Sequence, residues 1–360
     1  MPQPTSTVSS AEAERKRTLL LEAAAADAVV ATSPATVRWL LCGRGRPVST
    51  SGPDADYTVV LTPERSLVLF PDIEASRVEA EERFDELGFE PLAFPWHEGS
   101  EGALRDVLES AEALTGAAVD AVAAPLRRRL GAEEVRRYRA AGADAAEAML
   151  ETIGALEPGA TESQAAADLG ERLLNRGFRP PVLLVAGEER QAVHRHPLPT
   201  QAPLGRHALL AATAERHGLH VSLTRLVSFG AAPDELARLV AAVADVDAVM
   251  LRASRPGTTT GAVLRVAAAA YAERGFPEEW RRHHQGGITG YRGREIFAVP
   301  GETTELSAVC AVAWNPSITG GAKSEDTALV GPEGIEVVTR TPELPELDVD
   351  SLARPGIAEL

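Results

Sequence analysis

The chain has 360 residues, of which 44% are hydrophobic and 24% charged, a composition typical of a globular protein with a sizeable core. Its formal net charge of −16 opposes binding to phosphate backbones, which excludes nucleic acid as a partner. No apolar run reaches the length of a membrane span, so we expect no membrane partner either.

The termini and the cysteines indicate the compartment. Residues 1–10 lack the basic and apolar regions of a secretory signal and are expected to form a disordered tail. The two cysteines, Cys42 and Cys310, form neither a disulfide framework nor a CxxC zinc motif. Their apolar neighbours predict buried, inert thiols, and the sequence therefore predicts a cytoplasmic protein.

The first half of the chain alternates predicted helices and strands. Helices are expected over residues 11–26, 34–41, 73–87 and 101–114, and strands over 27–32, 57–61, 66–70 and 89–95. Ser33-Pro34 is a typical helix start, with proline at the first helical position. This alternation predicts an α/β N-terminal domain over residues 11–132.

The second half shows the same succession twice. A long helix from Glu133 is ended by Glu157-Pro-Gly, and Thr161-Glu-Ser-Gln begins the next helix. Strands are expected over 182–186, 208–214 and 220–229, and a helix over 233–251 precedes a second Pro-Gly break at Pro256. The pattern predicts a duplicated helix-helix-β, α+β domain over residues 133–342. An acidic, proline-containing tail over 343–360 is expected to pack loosely.

Five short strings follow one another in this second half: AVHRHPLPT (192–200), HVSLTR (220–225), GGITGY (286–291), WNP (314–316) and SEDT (324–327). In this order they resemble the His-x-x-Pro segment, Asp-x-Thr-Arg strand, Gly-His-x-x-Gly loop, Glu-Pro turn and closing Glu-Asp strand of the creatinase, aminopeptidase P and methionine aminopeptidase superfamily. The resemblance covers residues 134–340 and implies the pita-bread fold. The N-terminal domain resembles the accessory domain of the creatinase and aminopeptidase P branch.

The resemblance also implies a dinuclear metal centre, which the superfamily holds with two aspartates, one histidine and two glutamates. Only the last glutamate is present, at Glu325. The other positions hold Ala211 or Ala212, Ser222, Gly287 and Asn315. Because divalent ions need several oxygen or imidazole ligands that converge on one point, we expect the metal pair to be lost and no cofactor to be used.

Histidines remain as candidate proton carriers. The resemblance places the superfamily's substrate-side histidine at His196 rather than His194, because Pro199-Thr200 supports that register. A neutral imidazole near pH 7 is suited to moving a proton; the alternative is a packing role in a proline-rich loop. His283 and His284 are adjacent, so in an extended strand they face opposite sides, and His284 is expected to enter the cavity.

Charged and polar residues complete the predicted site. On a strand over 321–329, Lys323, Glu325 and Thr327 point the same way, so Lys323 can supply the counter-charge that a buried Glu325 needs. The alternative is a structural ion pair. Arg294 takes the place of a superfamily histidine and suits a carboxylate or phosphate. The predicted catalytic residues are His196, Glu325 and His284, and the predicted substrate-binding residues are Ser222, Tyr291, Arg294, Asn315 and Lys323.

Three hypotheses of function follow. The first is a metal-independent enzyme that acts on a C–N bond of a small neutral or anionic substrate, since creatinase, within the resembled superfamily, uses a histidine and no metal. The second is a non-catalytic pseudopeptidase that binds a small molecule or a protein. The third is a metallo-aminopeptidase with a rebuilt mononuclear site at His196, His284 and Glu325. The resemblance also implies a homodimer in which the N-terminal domain of one subunit lies near the site of the other.

Overall fold

The computed structural model describes residues 10–49, 52 and 54–360. The predicted disordered tail lies outside these residues except for Ser10, which begins the first helix. The chain divides into two compact units, Met1–Arg129 and Leu130–Leu360. Within the described ranges, no helix is both long and apolar enough to cross a membrane.

The first unit is a five-stranded mixed sheet with helices. Its strands are β1 (Ala28–Ala31), β2 (Thr58–Leu61), β3 (Ser66–Pro71), β4 (Glu90–Phe94) and β5 (Ala113–Thr115), in the order β4-β3-β2-β1-β5. Its helices are α1 (Ser10–Ala24), α2 (Pro34–Leu40), α3 (Ala75–Arg77), α4 (Glu101–Leu108) and α5 (Gly116–Arg128). The central strands are almost wholly apolar and buried, as expected for a sheet covered on both faces.

One predicted helix of this unit, over residues 73–87, is instead a series of short turns. The 3₁₀ turn Asp72–Glu74, α3, a π-helical turn Val78–Glu82 and a second 3₁₀ turn follow one another, and Arg83 has a positive φ of 46° between the last two. The buried carboxylate of Glu82 accepts hydrogen bonds from the backbone N–H groups of Gly45 and Arg46. These tertiary bonds favour the irregular path over the local helical preference.

The second unit contains two helix pairs, each followed by strands. Its helices are α6 (Ala132–Gly154), α7 (Glu162–Asn175), α8 (Glu188–Gln191), α9 (Asp234–Ala253) and α10 (Thr260–Glu273). Its strands are β6 (Arg179–Gly187), β7 (His207–Arg216), β8 (Leu219–Ser228), β9 (Gly286–Thr289), β10 (Ile296–Phe297), β11 (Cys310–Trp314), β12 (Ser317–Ile318), β13 (Ala322–Lys323), β14 (Asp326–Gly331), β15 (Gly334–Val337), β16 (Glu346–Val349), β17 (Leu352–Pro355) and β18 (Ile357–Glu359). The predicted duplicated helix-helix-β plan is confirmed.

Two sheets of the second unit meet where the predicted site lies. One has the order β18-β8-β7-β6 and the other β10-β9-β11-β14-β15. The backbone N–H of Thr224 on β8 donates to the carbonyl oxygen of Glu325, 3.0 Å away, just before β14. The N–H of Ser222 donates to Thr327 Oγ1 at 2.7 Å. Side chains from both sheets therefore converge on residues 222–224 and 323–327.

The end of the chain is packed, in contrast to the loose tail that its composition predicts. β18 adds to the first sheet as a parallel neighbour of β8, and Arg354 on β17 is fully buried. Its guanidinium contacts the carboxylates of Asp247 and Asp326 at 2.8 and 2.6 Å. Two buried carboxylates require a cation nearby, and the ion pairs that Arg354 makes with them hold the final strands in place.

Candidate active site

The second unit has a cavity of about 320 Å³ at this junction of sheets. Six of the eight predicted site residues line it: His196, His284, Arg294, Asn315, Lys323 and Glu325. Ser222 lies beside the cavity, with its Oγ 3.4 Å from Arg294 Nη1. Tyr291 does not join them, because its buried hydroxyl donates to Glu134 Oε1 on α6 at 2.8 Å.

A buried carboxylate held by two cations forms one side of the cavity. Glu325 Oε2 lies 2.8 Å from Lys323 Nζ, and Oε1 lies 3.2 Å from Arg294 Nη2. The hydroxyl of Thr224 also donates to Oε2, at 2.8 Å. The side chains of Lys323, Glu325 and Arg294 are only 6%, 6% and 8% exposed. Burial alone would raise the pKa of Glu325, but Lys323 and Arg294 outweigh it and hold that pKa at about 2.

The strand that was expected to present these residues is interrupted. β13 ends at Lys323 and β14 begins at Asp326, so Ser324 and Glu325 belong to neither strand. The Thr224 bridge fixes Glu325 instead. Lys323 and Glu325 still meet, as the period of two predicts, whereas Thr327 turns its hydroxyl to the backbone of Ser222.

Three imidazoles, two of which line the cavity, form a cluster. His196 Nε2 and His283 Nε2 are 3.0 Å apart, and the rings of His283 and His284 stack with centroids 4.4 Å apart. Of the adjacent pair, His284 is among the residues that line the cavity and His283 is not. Residue 283 lies in a bend and residue 284 belongs to no strand, so strand alternation does not account for this difference.

The imidazoles are held neutral. Burial and then the Lys323 cation lower the pKa of His283 to about 2, and burial and then the Arg294 cation lower the pKa of His284 to about 4. Burial and then Lys323 also lower the pKa of His196, whose side chain is the most exposed of the three. At neutral pH each ring can accept a proton or donate its single N–H.

The residues present do not fit the dinuclear centre implied by the resemblance. Ala211 and Ala212 line the cavity with methyl groups, and the Ser222 hydroxyl is bonded to Thr213 Oγ1 at 2.9 Å. Glu325, the remaining carboxylate, is already paired with Lys323 and Arg294. Two divalent ions would have one carboxylate between them, next to two fixed positive charges.

The backbone of β9 also excludes the superfamily's histidine. A Cβ on Gly287 would lie 1.9 Å from the carbonyl oxygen of Ile296, and one on Gly286 would lie 2.1 Å from that of Ala313. No side chain fits at either position while β9 is this close to β10 and β11. The packing of β9 against β10 and β11 therefore leaves no space for the histidine ligand.

Sequence reasoning missed an apolar wall and one hydrogen-bonding residue. Val182, Leu184 and Phe297 line the cavity together with the charged residues. Thr224, which fixes Glu325, shares a strand face with Ser222, and this pattern could have identified it. No sequence signal marked the apolar wall, because strand β6 reads as an ordinary buried strand.

Comparisons with known proteins bear on the family and the fold. The sequence profile of metallopeptidase family M24 matches residues 136–332. The fold is similar to that of dipeptidase PepE from Mycobacterium ulcerans, with 19% identity, a TM-score of 0.73, and coverage of 98% of this chain and 99% of that one. It is also similar to X-Pro aminopeptidase from Thermotoga maritima, with 16% identity, a TM-score of 0.72, and coverage of 96% and 100%.

A prolidase from Pyrococcus horikoshii has 18% identity and a TM-score of 0.72, with coverage of 92% of this chain and 98% of that one. The search of curated proteins finds no significant match. The predicted fold, an α/β N-terminal domain followed by a pita-bread domain, is confirmed.

Proposed function

The chain belongs to metallopeptidase family M24, and from that premise we propose that it is a metal-independent, creatinase-like enzyme that breaks a C–N bond of a small neutral or anionic substrate. The observation that carries the proposal is the pairing of Glu325 with Lys323 and Arg294. Two organic cations contact the carboxylate at the position that is a metal ligand in the resembled superfamily. The cavity contains a carboxylate, polar donors and imidazoles, and these groups are sufficient for proton transfer.

His196 is the proton carrier in this proposal. It lines the cavity, and its Nε2 lies 3.0 Å from His283 Nε2, so one of these two nitrogens carries the proton of the hydrogen bond. Water adds to the carbonyl carbon of an amide, the C–N bond breaks, and the departing nitrogen gains a proton. His196 takes a proton from the water and passes one to that nitrogen.

The other predicted residues assist. The neutral ring of His284 offers an N–H to the carbonyl oxygen, and Asn315 offers its side-chain amide. We assign Glu325 a positioning role, because it contacts Lys323, Arg294 and Thr224 and keeps the two cations in place. The homodimer and the cytoplasmic location remain predictions.

The test replaces His196 with alanine. The full-length protein is incubated with N-acetylated amino acids and dipeptides, and released amines are quantified. The His196→Ala variant should lose turnover while its thermal unfolding stays close to that of the wild type. His194→Ala is the matched control, because His194 is an exposed histidine on the same loop that does not line the cavity. Equal rates for His196→Ala and the wild type would remove His196 from the mechanism.

A rebuilt mononuclear metal site is the second candidate, and the imidazole cluster favours it. One nitrogen of each of His196, His283 and His284 lies within 4.8 Å of the others, a donor set suited to zinc. Glu325, which the third hypothesis included, is occupied by its two cations. The positive charges of Lys323 and Arg294 oppose an added cation, which makes this candidate the weaker one.

A further inference from the structure

The buried charges of the cavity do not balance. Lys323 and Arg294 carry two positive charges, and Glu325 is the only carboxylate among the residues that line the cavity. The group therefore has an excess of one positive charge, and all three side chains are more than nine-tenths buried. An uncompensated charge in such surroundings is costly, and an anion that enters the cavity would remove the imbalance.

The two cations also have donor groups to spare. Lys323 has three N–H groups, and its contact with Glu325 uses one of them. Arg294 uses three of its five N–H groups, toward Ser222, Gly293 and Glu325. The two that remain can donate to a carboxylate.

Part of the cavity lining is apolar. It consists of Val182, Leu184, Ala211, Ala212 and Phe297, and Val182 and Phe297 are partly exposed at 38% and 46%. The volume of about 320 Å³ is at the lower end of the range for small-molecule sites. An apolar lining and a small volume suit a compact aliphatic group.

We propose that the cavity binds a small monocarboxylate with a compact apolar side chain, and that its carboxylate lies against Lys323 and Arg294. A single negative charge neutralises the excess positive charge, whereas a phosphate dianion would leave the group with a net negative charge. If the proposed function holds, this ligand defines the substrate class: an amide-bonded amino acid derivative with a free carboxylate. The amide then lies between the cations and the imidazoles.

Binding of matched pairs tests the proposal. Calorimetry on the full-length protein in low-salt buffer, free of phosphate and carboxylates, compares N-acetyl-L-leucine with N-acetyl-L-leucinamide, N-acetylglycine and inorganic phosphate. The acid should bind at least about tenfold more tightly than its uncharged amide, a difference of about 1.4 kcal/mol, since hydrogen bonds to a charged group are stronger than those to a neutral one. N-acetylglycine, which lacks the apolar group, should bind more weakly than N-acetyl-L-leucine.

Variants locate the carboxylate. Lys323→Met and Arg294→Met should each remove most of the preference for the acid over the amide. Arg281→Met is the matched control, because the side chain of Arg281 is 63% exposed and lies outside the cavity lining. Equal affinity of the wild type for acid and amide would overturn the proposal, and so would tighter binding of phosphate.

The proposal and the proposed function can fail separately. His196→Ala should lose turnover but keep its preference for the acid, because His196 does not contact Glu325 or its two cations through any hydrogen bond described. Binding of the acid without turnover would overturn the function and keep the ligand class. Turnover of amides and acids at equal rates would keep the function and overturn the ligand class.

Discussion

At the scale of single residues, the site holds its buried carboxylate between two fixed organic cations. The nearest atoms of Lys323 and Arg294 lie 2.8 and 3.2 Å from Glu325, and Thr224 donates a further hydrogen bond. An ion pair of this kind depends on its surroundings for net stability, since burial costs free energy that the attraction must recover. Because the group has two cations and one carboxylate, loss of the carboxylate and loss of one cation should have unequal effects on stability.

This inequality gives a stability prediction. Glu325→Gln leaves two buried cations without a carboxylate and should lower the free energy of unfolding by about 3–5 kcal/mol. Lys323→Met keeps Glu325 paired with Arg294 and keeps the side-chain volume, so it should cost less than about 1.5 kcal/mol. Urea denaturation of the ligand-free proteins measures both. Equal losses for the two variants would contradict the charge count.

At the scale of elements, strand β9 decides what the site can hold. Gly286 and Gly287 let it approach β10 and β11 so closely that any side chain would overlap a carbonyl oxygen. A side chain at residue 287 would therefore disturb the packing of β9, β10 and β11. Restoring the superfamily's histidine at Gly287 alone cannot rebuild a metal ligand.

Alanine substitution tests this packing. Gly287→Ala should lower the free energy of unfolding by about 3 kcal/mol, because the added Cβ would be 1.9 Å from the Ile296 oxygen and the strands must move. Gly154→Ala, at the end of α6, is the control, because no atom lies within 4 Å of its added Cβ. It should leave stability unchanged or raise it by up to about 1 kcal/mol. If Gly287→Ala unfolds at the wild-type urea concentration, β9 is less tightly packed than described.

The elements also show what the sequence could and could not predict. Capping signals located α7, whose Thr161 and Gln164 form the expected reciprocal bonds. The ordered strings contain three of the six predicted residues that line the cavity, His196, Asn315 and Glu325. The break between β13 and β14, the bend at His283 and the turn to Glu134 taken by Tyr291 depend on tertiary contacts, which local periodicity does not contain. Packing of the chain end depends on the ion pairs between Arg354 and two aspartates distant in sequence, Asp247 and Asp326.

At the scale of the whole molecule, the duplicated helix-helix-β plan brings the two sheets together around one cavity. The chain has a net charge of −16 and only two lysines, yet one of these lysines is buried in the cavity beside Glu325. The cavity is thus a local positive site in an acidic protein. The fold of a metallopeptidase family is retained, and the resemblance places four of the five metal ligands at Ala211 or Ala212, Ser222, Gly287 and Asn315.

The most direct test of this account measures metal content and turnover in the same sample. Full-length protein purified without added metal is dialysed against a chelator, analysed for zinc, manganese, cobalt, nickel and iron, and assayed with the N-acetylated amino acids. We expect far less than one ion per chain and turnover that the chelator does not reduce. Two tightly held ions per chain, or turnover that is lost on dialysis and restored by a divalent metal, would contradict the account.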